Sequence, residues 1–265
     1  SDFEHQIALH IRGSNIKYLV KATKIATKWN YDEINLNCGC PSSKVQKGSF
    51  GAILMKEPEK VRDIVKAMRE NTDKPITVKH RLGIDNINNF NFVKDFVDIV
   101  SSSGCKTFVV HARNAILNNL SPKDNRKIPK LKYSYVYKLK ESFPKLEFII
   151  NGGLTNINEI KYQFNHVDGV MIGREVYKNP LILIELENQI FNKKKHPTRK
   201  QIIHKMEDYI NEMLKENIKP QSITRHLMGL FYGQPNAKSW KKKLQNLNFS
   251  NKNIDLLNSN YFENK

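Results

Sequence analysis

Short apolar runs alternate with helical segments along the first two thirds of the chain. Six runs are continuously apolar, as parallel strands covered on both faces are, and they lie near residues 7–11, 34–36, 75–81, 107–111, 148–151 and 169–172. Apolar residues at helical spacing recur between them, over 15–30, 58–71, 91–103, 134–143 and 156–164. This alternation predicts an α/β fold built on a parallel sheet.

Polar residues or glycines end all six predicted strands. These ends are Arg12-Gly13, Asn37, Lys79-His80-Arg81, His111-Arg113, Asn151-Gly152-Gly153 and Gly173-Arg174. In a barrel they converge on one mouth, whereas in a doubly wound sheet they are strung along an edge. We therefore expect a TIM (β/α)8 barrel that lacks its first two βα units, over residues 1–192.

The pattern changes after Pro180. Lys193 to Lys200 is a basic, polar linker, and the spacing from Thr198 onward is helical without a strand signal. We expect a small all-α helical domain over residues 193–265.

The charge of the chain is unevenly distributed. Lys and Arg number 44 against 26 Asp and Glu, a net +18 that points to nucleic acid first and an anionic membrane second. Residues 193–265 hold 15 basic and 6 acidic residues, which is +9, or half of the excess. A uniform compositional bias would not concentrate charge in this way, so we expect a nucleic-acid surface in the C-terminal domain.

Cysteine usage and hydropathy favour an intracellular protein, in the cytoplasm or an organelle. Three cysteines in a lysine-rich chain suggest a reducing compartment, and Cys38-x-Cys40 without a second pair is a poor zinc signal. No apolar run approaches the ~18 residues that span a bilayer. No signal peptide is visible, although Ser1 leaves the true N-terminus open. We expect a monomer without a metal or a membrane contact.

The loop after the second strand carries the clearest candidate chemistry. Cys40 lies between Gly39, which permits close backbone approach, and Pro41, which fixes the turn. The alternative is that Cys38 and Cys40 are both small buried hydrophobes. Gly48 and Gly51 are expected to keep the following loop open.

Other strand ends suggest an anion site. The turns at Asn151-Gly152-Gly153 and Gly173-Arg174 together indicate a phosphate-bearing cofactor, although either alone is an ordinary turn. Lys79 is either exposed or aimed at an anion in the mouth. His111 is either a core histidine or, with Arg113 two positions later, part of a site.

Taken in order, these motifs resemble the tRNA-dihydrouridine synthases over essentially the whole chain. The matching runs are Asn37-x-Gly39-Cys40-Pro41, Lys44 to Gly48, Thr77-Val78-Lys79-x-Arg81-x-Gly83, His111-Ala112-Arg113, Asn151-Gly152-Gly153 and Gly169 to Arg174. The run from Leu120 to Arg126 and the later Thr224-Arg225-His226 are similar to the A-type subfamily.

The resemblance implies a reaction and a cofactor. It implies an FMN enzyme that uses NADPH to reduce a uridine of the tRNA D-loop, at position 20 or 20a, to 5,6-dihydrouridine. Hydride from flavin N5 would reach C6 of uracil, and an acid would protonate C5. A thiol is mostly protonated at neutral pH, so Cys40 would be that acid. The target base must leave the stack to reach the mouth.

The resemblance also implies roles for the other residues. Asn37 and Arg113 would hold the uracil. The implied cofactor contacts are His10, Lys79, His111, Asn151, Gly152, Gly153, Gly173 and Arg174. The implied tRNA contacts are Lys123 and Arg126 in the loop after His111, and Lys238 and Lys241 in the helical domain. The lysines at 238, 241, 242 and 243 are equally typical of a solvated helix face.

The chain departs from the family at several positions. His10 stands where Gln is usual, Asn114 where Lys is usual, and Lys238 and Lys241 replace arginines. Because an open barrel exposes two strand edges, we expect residues 1–265 alone to hold FMN weakly or not at all. Two rivals remain: another FMN barrel that acts on a free pyrimidine, and a non-catalytic tRNA-binding relative.

Overall fold

The computed structural model describes residues 6–247 and 254–256, and it contains a six-stranded parallel sheet. The strands are β1 (Ala8–Ile11), β2 (Glu33–Cys38), β3 (Ile76–Arg81), β4 (Thr107–His111), β5 (Glu147–Asn151) and β6 (Gly169–Met171). The helices are α1 (Ile16–Thr27), α2 (Ser43–Lys47), α3 (Pro58–Arg69), α4 (Phe90–Ser101), α5 (Tyr133–Ser142), α6 (Ile157–Gln163), α7 (Arg174–Lys178), α8 (Ile182–Phe191), α9 (Arg199–Lys215), α10 (Pro220–Thr224) and α11 (Ala237–Gln245). The predicted α/β alternation is confirmed, with element ends shifted by up to three residues.

The strand order decides between the two architectures considered from the sequence. Each strand pairs in parallel with the next strand along the chain, in the order β1-β2-β3-β4-β5-β6. A doubly wound sheet reverses its order at a switch point, and this sheet does not. Sequential winding in one direction is the order of a (β/α) barrel, with β1 and β6 as the sheet edges within the described residues.

The two faces of the sheet differ in character, because successive strand residues point to opposite sides. The face packed under the helices is mostly apolar, and its side chains at Leu36, Val78, Phe108 and Ile150 are fully buried. The opposite face, which we call the polar face, carries His10, Asn35, Asn37, Thr77, Lys79, Arg81, His111 and Asn151. Most of the polar side chains predicted at strand ends up to Asn151 therefore share one side of the sheet.

Asparagine side chains cap the N-termini of several helices that lie between the strands. Asn15 accepts a hydrogen bond from the backbone of Tyr18 at the start of α1, and Asn89 and Asn156 cap α4 and α6 in the same way. Such caps satisfy backbone N–H groups that the first helical turn leaves without a partner. Part of the high asparagine content of the chain thus has a structural use.

The predicted open loop around Gly48 and Gly51 is wrong. Residues of α2 and a 3-10 turn over Gly51–Lys56 fill it, and Leu54 and Met55 are buried there. Gly51 has a φ of +74°, which favours glycine, and an added Cβ would lie only 2.7 Å from the carbonyl oxygen of Cys40. The glycine therefore closes the segment onto the Cys40 loop.

The chain divides into two compact units, residues 1–171 and 172–265. The described part of the second unit is helical and contains no strand. Its core surrounds Trp240, whose indole N–H donates to the carbonyl oxygen of Leu227 at 2.9 Å and whose ring lies 4.9 Å from that of Phe231. The structural boundary at 171/172 differs from the compositional boundary at 192/193, and the latter remains a prediction about function.

None of the helices in residues 6–247 and 254–256 has the length and apolar character needed to cross a membrane.

Candidate active site

The loop that carries Cys40 is fixed from both sides. The carboxamide oxygen of Asn37 accepts hydrogen bonds from the backbone N–H groups of Gly39 and Cys40 at 2.9 and 3.0 Å. The carbonyl oxygen of Cys40 accepts a third from Ala52 at 2.9 Å. The Cys40 side chain is partly exposed at the carboxyl end of β2. A side chain on so constrained a backbone can hold a proton at a fixed place.

Cys38 has a different environment. Its side chain is fully buried on the apolar face, and desolvation raises the pKa of the thiol well above its ordinary value. It is therefore a packing residue, which agrees for Cys38 with the alternative that the sequence left open.

Lys79 is a partly buried cation. Its Nζ lies 3.2 Å from the side-chain oxygen of Asn151, which means that the side chain reaches across β4 to β5. It forms no ion pair within the described residues, and desolvation followed by repulsion from Arg81 lowers the pKa of Lys79 to about 8. Asn151 is itself held by donation from its Nδ2 to the carbonyl oxygen of Met171 at 2.7 Å. The ammonium group is thus fixed and available to an electron-rich ligand.

His111 and the glycine turn lie against each other. A Cβ added to Gly152 would lie 3.2 Å from Cε1 of the His111 ring, and Gly152 and Gly153 have φ values of +115° and +75°. The hydroxyl of Tyr133 donates to the carbonyl oxygen of Gly152 at 2.6 Å and holds the turn. Only glycine combines this backbone conformation with this close approach to the imidazole.

His10 belongs to a chain of hydrogen bonds along the polar face. Its Nδ1 lies 2.6 Å from Oδ1 of Asn35, whose Nδ2 donates to the hydroxyl of Thr77 at 2.7 Å. That hydroxyl donates to Glu33 at 3.1 Å. Partial burial lowers the pKa of His10, opposed by the Asn35 bond and assisted by Lys79. A neutral imidazole, like the usual glutamine, offers both a donor and an acceptor.

The loop after β4 places the other predicted uracil and tRNA contacts. Arg113 is nearly buried and donates to the carbonyl oxygen of Pro129 within this loop. Lys123 precedes a 3-10 turn over Asp124–Arg126, and both Lys123 and Arg126 are exposed. Asn114 donates to the carbonyl oxygen of Ile87 at 3.2 Å, so it joins the loops after β3 and β4.

Arg81 is the principal site residue that sequence reasoning missed. Its Nε donates to the carbonyl oxygen of Gly39 at 3.0 Å, and its Nη1 donates to those of Asn114 and Asn125 at 2.9 Å each. It is 4% exposed, and desolvation lowers its pKa to about 10, a value at which it remains charged at neutral pH. Its position two residues after Lys79 was the available signal, since alternate strand residues share a face.

The second glycine turn is placed differently from the first. Gly173 and Arg174 are exposed and belong to the second unit, where Arg174 begins α7. Gly173 has a φ of −121°, which other residues also adopt. Its predicted cooperation with Gly152 and Gly153 in binding phosphate stays a prediction.

The lysine cluster of the helical unit lies on α11. Lys238, Lys241 and Lys242 are exposed, while Trp240 and Leu244 on the opposite side of the helix are fully buried. Lys243 is only partly exposed and donates to the carbonyl oxygen of Leu256 at 3.1 Å. The exposed cluster therefore consists of three lysines and not four.

Comparison with known proteins shows the family of the chain. The family model described as dihydrouridine synthase matches residues 1–265. The chain belongs to the dihydrouridine synthase family. Relatives named tRNA-dihydrouridine(20/20a) synthase include one from Synechocystis, 46% identical over 91% of this chain and 72% of its own length. Others are from Vibrio cholerae, 46% identical over 91% and 74%, and from Escherichia coli, 45% identical over 92% and 74%.

Dihydrouridine synthases are TIM-barrel flavoproteins that use FMN and NADPH, so this chain is an FMN-dependent oxidoreductase of tRNA processing. Two observations fit that cofactor to the polar face. Lys79 is a partly buried cation without a carboxylate partner among the described residues. Its charge is therefore available to an electron-rich ring such as that of a flavin. Gly152 lets the backbone of the turn lie close to the His111 ring, which a Cβ would meet at 3.2 Å, so the turn and the imidazole can contact one ligand.

Most of the residues that the dihydrouridine synthase resemblance singled out in the first unit lie at one end of the polar face. They are Asn37, Cys40, Lys79, His111, Asn151, Gly152 and Gly153, with His10 on the neighbouring edge strand. Sequence reasoning missed the support beneath them, which consists of Arg81, Asn35 and the buried side chain of Asn125.

Proposed function

We propose that this chain reduces uridine at position 20 or 20a of tRNA to 5,6-dihydrouridine, with Cys40 as the proton donor. The observation that carries the proposal is the Cys40 loop at the carboxyl end of β2, which is clamped by Asn37, the register partner of Lys79 on β3. The relatives named tRNA-dihydrouridine(20/20a) synthase support the substrate and the positions.

The residues around the clamp would divide the work. When bound, FMN would supply the hydride for C6 of the uracil. Cys40 gives the proton of its thiol to C5, and solvent restores that proton afterwards. Asn37 uses its oxygen in the clamp, which leaves its Nδ2 as a donor to a uracil carbonyl. Arg113 would hold the other side of the base.

Other residues would hold the cofactor. Lys79, His111 and His10 face the flavin ring in this proposal, because they share the polar face. Asn151, Gly152 and Gly153 would bind the flavin near its phosphate end, together with Gly173 and Arg174. Lys79 would stabilise negative charge on the cofactor, and its pKa of about 8 leaves most of the side chain protonated at neutral pH.

The tRNA would contact both units. Lys123 and Arg126 would bind phosphates from the loop after β4, and Lys238 and Lys241 would do so from α11. We further propose that the six sequentially ordered strands belong to an eight-stranded barrel, that residues 193–265 form the tRNA-binding domain, and that the protein works as a monomer.

A substrate panel tests this function. Purified enzyme with FMN and NADPH is given an unmodified tRNA transcript, the same transcript with cytidine at 20 and 20a, or free uridine. We expect NADPH oxidation coupled to product only with the first. Equal or faster turnover of free uridine would favour a free-pyrimidine dehydrogenase, and binding of tRNA without turnover would favour a non-catalytic relative.

A further inference from the structure

The guanidinium of Arg81 joins three backbone segments, one in the Cys40 loop and two in the loop after β4. Gly39 belongs to the Cys40 loop, Asn114 follows His111, and Asn125 lies between Lys123 and Arg126. Each segment gives a carbonyl oxygen to the same side chain, at 2.9 to 3.0 Å. The planar fork of an arginine can satisfy several fixed acceptors at once, and a lysine cannot.

Asn125 continues the connection into the loop of Lys123 and Arg126. Its side chain is fully buried, accepts from the backbone N–H of Ile116 at 2.8 Å and donates to the carbonyl oxygen of Ile116 at 2.7 Å. It also lies within 3.3 Å of the carbonyl oxygen of Leu120. The exposed basic residues thus sit on a segment whose middle residue is anchored twice, by its side chain to its own loop and by its carbonyl to Arg81.

We infer that Arg81 is a positioning residue that fixes the Cys40 loop and the Lys123–Arg126 loop relative to each other. A tRNA held by the second loop then places its target base at the thiol. The inference rests on the proposed function, in which Cys40 is the proton donor and the second loop contacts tRNA. Arg81 acts through Gly39 and Asn125, and it needs no contact of its own with the base.

The arrangement has a clear consequence for rates. Weakening the hydrogen bonds of Arg81 leaves both loops in place but lets the distance between them vary. Small misplacements of a catalytic group lower the reaction rate by large factors. The step that depends on the thiol should therefore suffer more than tRNA affinity, and more than reduction of the flavin by NADPH. A purely electrostatic role of the guanidinium beside Cys40 predicts instead that lysine would serve equally well.

The test compares Arg81→Lys, Asn125→Ala and a control, Arg69→Lys, in the purified enzyme. Arg69 makes the same kind of bond, from Nη1 to the carbonyl oxygen of Ser103 at 2.6 Å, on the helix side of the same unit. Reduced enzyme is mixed with tRNA in single turnovers, and reduction by NADPH is followed separately. We expect the first two variants to slow the tRNA step by about 30-fold or more, with tRNA affinity and NADPH reduction changed by less than about 3-fold.

The double variant should be no slower than the slower single one, because both changes break the same connection. A wild-type tRNA step in Arg81→Lys would overturn the inference, and so would equal slowing of both half-reactions or the same pattern in Arg69→Lys. If the wild type itself fails to pass electrons to tRNA, the proposed function fails instead.

Hydrogen exchange of the wild type decides the matter if a variant does not fold. Peptides covering 37–44 and 114–126 should open together, with one common protection factor. Independent opening of the two peptides would show that Arg81 does not couple them, whatever the activity of the enzyme.

Discussion

The carboxamide oxygen of Asn37 lies 3.0 Å from the backbone nitrogen of Cys40, and the same oxygen accepts from Gly39. One side chain therefore shapes the loop of the proposed proton donor before any substrate is present. The remaining polar atom of the Asn37 side chain, Nδ2, can donate a hydrogen bond to a uracil carbonyl. Structure and proposed chemistry thus use different ends of one amide.

Two substitutions at Asn37 should separate these functions. Asn37→Asp keeps an acceptor for the two N–H groups, whereas Asn37→Ala leaves them without a partner and should cost about 1–2 kcal/mol of unfolding free energy. Both should lose turnover with tRNA, because both lack the donor. Urea unfolding and tRNA turnover measure the two effects, and an Asn37→Ala protein as stable as Asn37→Asp would refute the clamp.

Replacing Lys79 by Met should stabilise the protein without FMN while weakening FMN binding. Burial holds the folded-state pKa near 8, below the ordinary 10.5, so the charged lysine opposes folding below pH 8 and this cost disappears as pH rises from 8 to 10.5. The expected gain at pH 7 is about 1–3 kcal/mol, and it should vanish above about pH 10.5.

Lys106→Met is the matched control for this change, since Lys106 is exposed just before β4. It should alter neither stability nor FMN affinity appreciably. A Lys79→Met protein that binds FMN as tightly as the wild type would remove Lys79 from the cofactor site.

His80 should make the fold sensitive to acid. Its Nδ1 lies 2.7 Å from the carbonyl oxygen of Arg81, its Nε2 has no hydrogen-bond partner among the described residues, and burial lowers its pKa to about 4. The unfolded chain binds a proton near pH 6.5 and the folded one does not, so stability should fall by about 3 kcal/mol between pH 6.5 and 4.

His80→Asn retains a donor for the Arg81 carbonyl and has no group that titrates in this range. Its unfolding free energy should therefore depend less on pH between 4 and 6.5 than that of the wild type. Parallel pH profiles of the two proteins, measured by urea unfolding, would show that another group controls the acid response.

Removing Lys238 and Lys241 together by alanine substitution should raise the KM for tRNA. Lysines that bind phosphates release counterions, so the slope of log affinity against log salt should fall by about 0.7–0.9 for each phosphate-binding lysine that is removed. Reduction of the flavin by NADPH should stay unchanged. The control is the double alanine variant at Lys205 and Lys215, which are exposed on α9. This variant loses the same charge as the first.

Wild-type tRNA affinity and salt dependence in the Lys238 and Lys241 variant would mean that α11 presents only a solvated face. The same loss of affinity in both double variants would assign the effect to net charge and not to a surface on α11.

The strands and their ends could be predicted from the sequence, because a period of two and a buried apolar run are local signals. The sequence also indicated the family, through motifs such as the one around Cys40. It could not supply Arg81 as a support, since its partner at Gly39 comes close only when β2 and β3 are assembled. Nor could it supply Asn125, whose amide bonds Ile116 only once the loop after β4 has folded around it. Nor could it show that Lys243 turns inward, because Leu256 accepts from it through a tertiary contact.

The prediction of an open loop after Cys40 failed for a related reason. Gly48 and Gly51 read locally as an open loop, yet the positive φ of Gly51 serves a close approach to the Cys40 carbonyl. A glycine signals conformational freedom in the sequence, and only the packed structure shows how that freedom is used.

Dihydrouridine mapping on defined tRNA tests the central claim most directly. A transcript without modifications is incubated with NADPH, FMN and either wild-type enzyme, Cys40→Ala or Cys38→Ala, and each uridine is then scored for reduction. We predict dihydrouridine at positions 20 and 20a with the wild type and with Cys38→Ala, and a loss of about 10²–10⁴-fold in rate with Cys40→Ala, which should keep its fold and its FMN. Equal rates for the wild type and Cys40→Ala, or reduction confined to other uridines, would contradict the account.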